Sequence, residues 1–483
     1  MSKNVGQATV TWSARPFSVL RALMAQGYVL ASVTGFPAIF AIIEGQKQLT
    51  IALGLPCLLF IIIGYFSNTR PPPKDLRNIE AVCVLSFLFL LITVATVPAF
   101  IILGMPLIDA LFEATSGTTS TGLSVASNAA EWPLTGHVLR GWIQWLGGFA
   151  IALAGVATII GPGATAKKMG DFNFEQQDIL TSARMQARNL LKVYCLITAI
   201  SFAVLFFVLP TWWEALVITF SAVSTGGFSP RADSLASYTS LAQILVILVC
   251  LSTTVSMLFY VVLYRNGLQK ATKATNIKTI VGVATVGVVI CCLLVLLSKD
   301  PSGQAVLNNS LNFLSGFSTA GFSVSPLNAG AATTILIIAA MIIGGASGST
   351  AGGIKIDRAI VLFQIVRVSF NRMRAPSHAL FKIKENGKWL SSARITSLIA
   401  VLSCYIATLL ICWIIFLVFE QPAFDSFFVI VSALSTVGLS TGIIGPETPS
   451  VLKFVLICAM LLGRLEFLVL LVTLSPSTWR KRS

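Results

Sequence analysis

A chain of 483 residues with 55% apolar and 11% charged side chains, and a mean hydropathy of +0.86, has the composition of a polytopic membrane protein and not of a string of soluble domains. Its formal charge of +15 does not point to nucleic acid, because 25 of the 33 Lys and Arg fall in six segments: Lys3 to Arg21, Arg70 to Arg77, Lys167 to Lys192, Arg265 to Lys278, Arg367 to Arg394 and Arg480 to Arg482. These segments recur after every second predicted crossing, as the positive-inside rule requires, which puts both termini in the cytoplasm and leaves anionic lipid heads as a partner for the basic stretches.

Residues 1–17 are polar and lead into an apolar segment without a small-residue cleavage pattern, so the first helix is expected to remain as an anchor. Spans at 19–43 and 49–67 make an N-terminal helix pair within residues 1–70. After it, residues 71–166 place spans at 80–103 and 137–161 around a shorter apolar segment at 108–119. Residues 167–264 repeat the arrangement with spans at 190–209 and 237–263 around 213–224. Residues 265–367 do so with 278–298 and 331–366 around 307–318, and residues 368–483 with 395–419 and 449–473 around 424–435. A span needs about 20 apolar residues, whereas the short segments have two to three helical turns and reach about halfway through a membrane. The nine cysteines lie in apolar runs without a CxxC pair and read as packing residues; with only two histidines in the chain, metal and disulfide chemistry are set aside.

Each short segment runs into the same polar phrase. The four copies are Thr119-Ser120-Thr121-Gly122-Leu123-Ser124, Ser224-Thr225-Gly226-Gly227-Phe228-Ser229, Ser318-Thr319-Ala320-Gly321-Phe322-Ser323 and Ser435-Thr436-Val437-Gly438-Leu439-Ser440, with glycines spaced by 105, 94 and 117 residues. Six positions before each glycine is a serine (Ser116, Ser221, Ser315, Ser432), and five before it a small residue (Gly117, Ala222, Gly316, Ala433). Thirteen before it stands Asp109, Glu214, Asn308 or Asp425, expected to cap the outer end of a short helix.

Polar backbone at membrane depth is tolerated only where protein buries it or where it lines water, so the pattern predicts re-entrant loops. The fold class is therefore an all-α polytopic membrane protein. Four span, pore helix, span repeats surround one ion path with pseudo-fourfold symmetry, giving about ten transmembrane helices, four half-spanning pore helices and the N-terminal pair. None of the four phrases carries a charge. Rings of neutral oxygens replace the hydration shell of a monovalent cation, whereas divalent ions ask for carboxylates. Helix C-termini aimed at the centre add partial negative charge that favours a cation.

On these stretches the chain resembles the Trk/Ktr/HKT superfamily of potassium transporters, most closely the bacterial Trk-system membrane subunit. The resemblance covers nearly the whole chain and implies potassium uptake across the bacterial inner membrane. It implies a filter made of Ser120, Thr121, Gly122, Thr225, Gly226, Gly227, Thr319, Ala320, Gly321, Thr436, Val437 and Gly438. In the family a serine at the first filter glycine goes with sodium transport; Gly122 holds that place here, which favours potassium, with sodium permeation or coupling as the alternative.

The run Gly344 to Gly353 puts five glycines into ten residues of the span at 331–366, which an ordinary helix interior does not accommodate. It reads either as a flexible intramembrane loop or as a small-residue packing face. The resemblance implies the loop, with Gly345, Ser347, Gly348, Thr350, Gly352 and Gly353 forming a gate. It also implies that Arg464 projects into the path as a cation barrier. The other reading of Gly463-Arg464-Leu465-Glu466 is an ion pair that fastens helices, Glu466 with Lys355 or Arg358. In the stretch His137 to Gly148, Arg140 near the outer interface reads as anchoring and the pair Gly147-Gly148 as close packing, a binding role being the other reading. Nothing marks His378 as a ligand.

The family further implies a homodimer and a cytoplasmic nucleotide-binding regulatory ring, for which Arg367 to Arg394 is the expected docking surface. The chain has no nucleotide motif of its own, and no cofactor is expected in it, potassium being the substrate. An enzyme would need a nucleophile with a base, paired carboxylates or metal ligands, and no such set can be proposed. A carrier of a small solute working by alternating access is the rival of a different class; such carriers typically have two repeats and mix charged groups into the site.

Overall fold

The computed structural model describes residues 13–67, 76–160, 183–298, 302–327, 330–376, 383–385 and 388–480. His378 and parts of the basic segments lie outside them. The described residues are predominantly helical; the strands among them are Lys384–Glu385 and Lys388–Trp389, paired antiparallel.

Among the described residues five helices are long and apolar enough to cross a membrane singly: Lys47–Ser67, Asn78–Ile102, Ala187–Phe206 within Ala183–Phe206, Ile277–Leu296, and Arg394–Val418 within Ser392–Val418. Three bent pairs raise the number to eight: Pro16–Met24 with Gly27–Ile43, Ser240–Thr254 with Met257–Asn266, and Ser450–Arg464 with Leu468–Leu474. The other two predicted spans are Leu134–Ile160, a continuous helix, and the third repeat's second span, split into Ala331–Ile343 and Ile356–Met373. Side chains such as Ile51, Leu55, Val281, Val286, Leu293, Ile411 and Ile414 are exposed on the flanks of these helices, the inside-out pattern that lipid solvation demands.

The sequence predicts one interrupted span; the described residues have four, one of them the 42° bend between Pro16–Met24 and Gly27–Ile43. Besides the glycine loop, the second span of repeat two turns by 80° between Thr254 and Met257, and that of repeat four by 111° between Arg464 and Leu468. The second turn passes through Glu466 and Phe467, both at positive φ (55° and 51°), a conformation that side chains resist and that hydropathy does not reveal.

The pore helices are Leu107–Thr118, Trp212–Val223, Gly303–Ser318 and Ala423–Leu434. Twelve residues rise about 18 Å, a little over half the hydrocarbon thickness. Their N-caps are Pro106, Thr211, Ser302 and Pro422, not the predicted Asp109, Glu214, Asn308 and Asp425. Asp109, Glu214 and Asp425 lie instead in the first turn, where a carboxylate still complements the helix dipole. Asn308 lies further inside because the third pore helix begins a turn earlier, behind Ser302, whose hydroxyl accepts from the Ala305 N–H at 3.1 Å.

The N-terminal pair closes tightly where Gly27 faces Gly64: a Cβ on Gly27 would stand 2.5 Å from the Gly64 nitrogen. It is strapped to the first repeat by Glu44. That carboxylate accepts the Leu134 N–H at 2.9 Å, the Thr135 N–H at 2.8 Å and the Thr135 hydroxyl at 2.5 Å, capping the helix Leu134–Ile160 from 90 residues away.

Candidate ion path

The register read from the sequence has a structural cause at the C-terminus of each pore helix. In the first, the Thr121 N–H donates to Ser116 O at 2.8 Å and the Ser120 N–H to Gly117 O at 2.9 Å, with Ser120 at φ 50°. This is a Schellman motif: the repeated serine and small residue supply the two accepting carbonyls, and the left-handed residue turns the chain. The other repeats copy it, with Gly226 to Ser221 at 2.7 Å, Ala320 to Ser315 at 3.0 Å and Val437 to Ser432 at 2.8 Å around left-handed Thr225, Thr319 and Thr436. Such motifs usually place glycine at the left-handed position; a side chain there costs on the order of 1–2 kcal/mol. Here glycine follows two residues later, at Gly122, Gly227, Gly321 and Gly438, all with φ between 74° and 99°.

These four glycines close a ring. A Cβ on Gly122 would collide with the carbonyl oxygen of Gly226, one on Gly227 with that of Ala320, one on Gly321 with that of Val437, and one on Gly438 with that of Thr121. Each glycine therefore faces the carbonyl preceding the glycine of the next repeat, in the order one, two, three, four and back to one. The structure thus brings Gly122, Gly227, Gly321 and Gly438 and the carbonyls of Thr121, Gly226, Ala320 and Val437 into one ring, with Ser120, Thr225, Thr319 and Thr436 preceding them in the four segments. The pore-helix carbonyl ends lie directly beneath them, and no ionisable group belongs to the ring.

Beneath the ring runs the glycine segment, a loop and not a packed helix face. The Gly352 N–H donates to Thr319 Oγ1 at 2.6 Å and the Gly353 N–H to Ser435 O at 3.0 Å, while Thr350 Oγ1 is 3.4 Å from Thr225 Oγ1. A Cβ on Gly352 would collide with Ser435 O and Thr436 Oγ1, so only glycine allows this approach. The loop is fastened to the break in repeat two: the Ala346 N–H donates to Thr254 O at 3.0 Å, the Met257 N–H to Gly348 O at 2.9 Å, and Thr350 Oγ1 to Thr253 O at 3.3 Å. Gly345 packs against Thr254. The Ser347 N–H donates to Asp357 at 2.7 Å, Asn276 donates to the other oxygen of that carboxylate at 2.6 Å, and the Lys355 ammonium donates to Ala351 O.

Arg464 completes the arrangement from repeat four. Its guanidinium, 3% exposed, donates to Thr350 O at 2.9 Å and to Ser120 Oγ and Gly147 O at 3.3 Å each. It thereby joins the loop to the first repeat, and among the described residues no carboxylate lies within salt-bridge distance of it. Glu466 does fasten helices, pairing with Arg358 at 2.5 Å.

Arg140, read as an anchor in the sequence, and Gln144, to which the sequence assigns no role of its own, both contact the repeated segments. Arg140 is buried, paired with Glu113 of the first pore helix at 2.8 Å and laid over the Phe228 ring at 4.0 Å. Glu113 also accepts from Ser124, so one ion pair ties together the segments that follow the first two filters. Gln144 donates from Nε2 to Gly226 O at 2.5 Å, accepts the Phe228 N–H at 3.3 Å, and through its own carbonyl accepts the Ser120 hydroxyl at 3.0 Å. Gly147 and Gly148 do pack closely, against Thr118 and Ser224.

Four half-helices whose carbonyl ends converge on a closed ring of neutral oxygens, in a shell of apolar spans, define a membrane cation-transport protein of the pore-loop class. The comparisons with known proteins agree. The model of the TrkH family, described as cation transport protein, matches residues 100–481, and the chain belongs to that family. The Trk system potassium uptake protein TrkH of Escherichia coli (strain K12) is 27% identical over 77% of this chain and 80% of its own length. The Trk system potassium uptake protein TrkI of Halomonas elongata is 24% identical over 96% of this chain and 97% of its own. The crystal structure of the potassium transporter TrkH from Vibrio parahaemolyticus superposes with a TM-score of 0.84 at 21% identity, covering 96% of this chain and all of that one, and so shares the fold.

Proposed function

We propose that this protein takes up potassium across the bacterial inner membrane, both termini cytoplasmic, through the ring at Gly122, Gly227, Gly321 and Gly438. The observation that carries the reading is the closure of four uncharged carbonyl-bearing segments around one axis. A neutral ring suits a weakly hydrated monovalent ion that must both bind and leave, and the relatives named for potassium uptake support the choice among alkali cations. The loop from Gly345 to Gly353 and Arg464 form the closed gate, since together they touch the inner end of every filter. Nothing in the chain burns a nucleotide; the membrane potential supplies about 2.3 kcal/mol per charge per 100 mV, enough to accumulate the ion. The protein works as a homodimer, and a cytoplasmic nucleotide-binding regulatory subunit docks on Arg367 to Arg394 and acts on the gate. The test is tracer flux into proteoliposomes at a clamped potential: potassium and rubidium are expected to pass, sodium less well and lithium far behind. Equal flux of all four cations would reject the filter.

A further inference from the structure

The ring has four repeats but not four equivalent carbonyls. Among the described residues, no donor reaches the carbonyl oxygens of Thr121, Ala320 or Val437, whereas that of Gly226 accepts the side-chain amide of Gln144 at 2.5 Å. The same side chain takes the Phe228 N–H, so it grips the second filter on both sides of Gly227. Gln144 is fully buried, and among the described residues no other repeat has a side-chain donor on its ring carbonyl.

An independent feature of the sequence fits this contact. The position before the filter glycine carries a side chain in three repeats (Thr121, Ala320, Val437) and none in the second. The backbone at Gly226 does not require glycine, since its φ is not positive. What requires it is space: a Cβ there would stand 2.5 Å from Cδ, 2.6 Å from Oε1 and 2.8 Å from Nε2 of Gln144. The doubled glycine of the second filter is the room made for the glutamine.

We propose that Gln144 is a positioning residue that tunes the affinity of the ion path, holding one carbonyl of the ring so that a cation at this level meets three free oxygens and one already engaged. The inference rests on the ring being the cation filter. The positive end of an amide beside one oxygen weakens the field on the ion, which lowers affinity and lets the ion leave. Gln144 is a positioning residue, acting through the Gly226 carbonyl.

The test uses the full-length protein. Its apparent affinity for the alkali cation it carries best is read from the half-saturating concentration for flux in proteoliposomes and from the cation dependence of its thermal midpoint in detergent. Gln144→Met keeps the length of the side chain and removes the amide. Gln144→Glu keeps the shape and the acceptor for Phe228 but removes the donor. Both leave intact the bond from Ser120 to the main chain of residue 144. The half-saturating concentration is expected to fall about three- to tenfold in Gln144→Met, the range one ordinary hydrogen bond gives, and at least as far in Gln144→Glu. Gly226→Ala, which displaces the glutamine from the opposite side, should shift it the same way and carries the test if the Gln144 variants do not fold. Unchanged or weaker affinity in folded variants, beside a normal response of the unaltered protein, overturns the role of Gln144 alone. An unaltered protein that responds to no alkali cation overturns the filter reading, and this proposal with it.

Discussion

At the scale of single residues, Arg464 is a buried charge whose partners among the described residues are a loop carbonyl, the Ser120 hydroxyl and a helix carbonyl rather than a carboxylate. A positive charge bonded to Ser120, two residues from Gly122, opposes a cation arriving at the ring by on the order of 1 kcal/mol or more at an effective dielectric of about 20. Arg464→Ala is therefore expected to raise cation flux severalfold or more at fixed potential, measured on protein of normal thermal midpoint; unchanged or lower flux from such protein would show that the guanidinium only fastens helices. The ring residues are legible in the sequence because four copies fix one another's register. Gln144 is not, because a residue that occurs in one repeat has no copy to align with and meets its partner 82 positions away. The only trace it leaves in the sequence is the doubled glycine at Gly226-Gly227.

At the scale of elements, the repeat extends upstream of the polar phrase because a Schellman ending needs particular residues at fixed offsets, and those offsets are what a reader of the sequence sees. The loop from Gly344 to Gly353 is legible for the opposite reason, since five glycines rule a helix out. The breaks at residues 254–257 and 464–468 leave no such mark. They contain no glycine or proline and are held open by tertiary bonds, the first to the loop and the second through Glu466 to Arg358. Deleting residues 346–351 removes the contacts to Thr253, Thr254, Met257 and Arg464 together, and is expected to leave a basal flux several times higher that no cytoplasmic partner can shut. A deletion variant with unaltered basal flux would count against the loop as gate.

At the scale of the whole molecule, the N-terminal pair stands outside the fourfold arrangement and is joined to it at Glu44, which caps the helix that carries Arg140, Gln144, Gly147 and Gly148. Glu44→Ala strips three hydrogen bonds from a helix start and should lower stability by about 1–3 kcal/mol, read as a lower thermal midpoint, while leaving the preference among cations intact. A changed preference with an unchanged midpoint would place the pair within the conduction machinery. The ring closes within a single polypeptide, and this has a consequence for how the protein could have been assembled. Four identical subunits would bring four glycine loops, four arginines and four glutamines to one axis, where the described geometry has space for one of each. Because the quarters belong to one chain they need not be identical, so the glycine loop of repeat three, Arg464 of repeat four and Gln144 of repeat one each occur once, an asymmetry unavailable to any homotetramer.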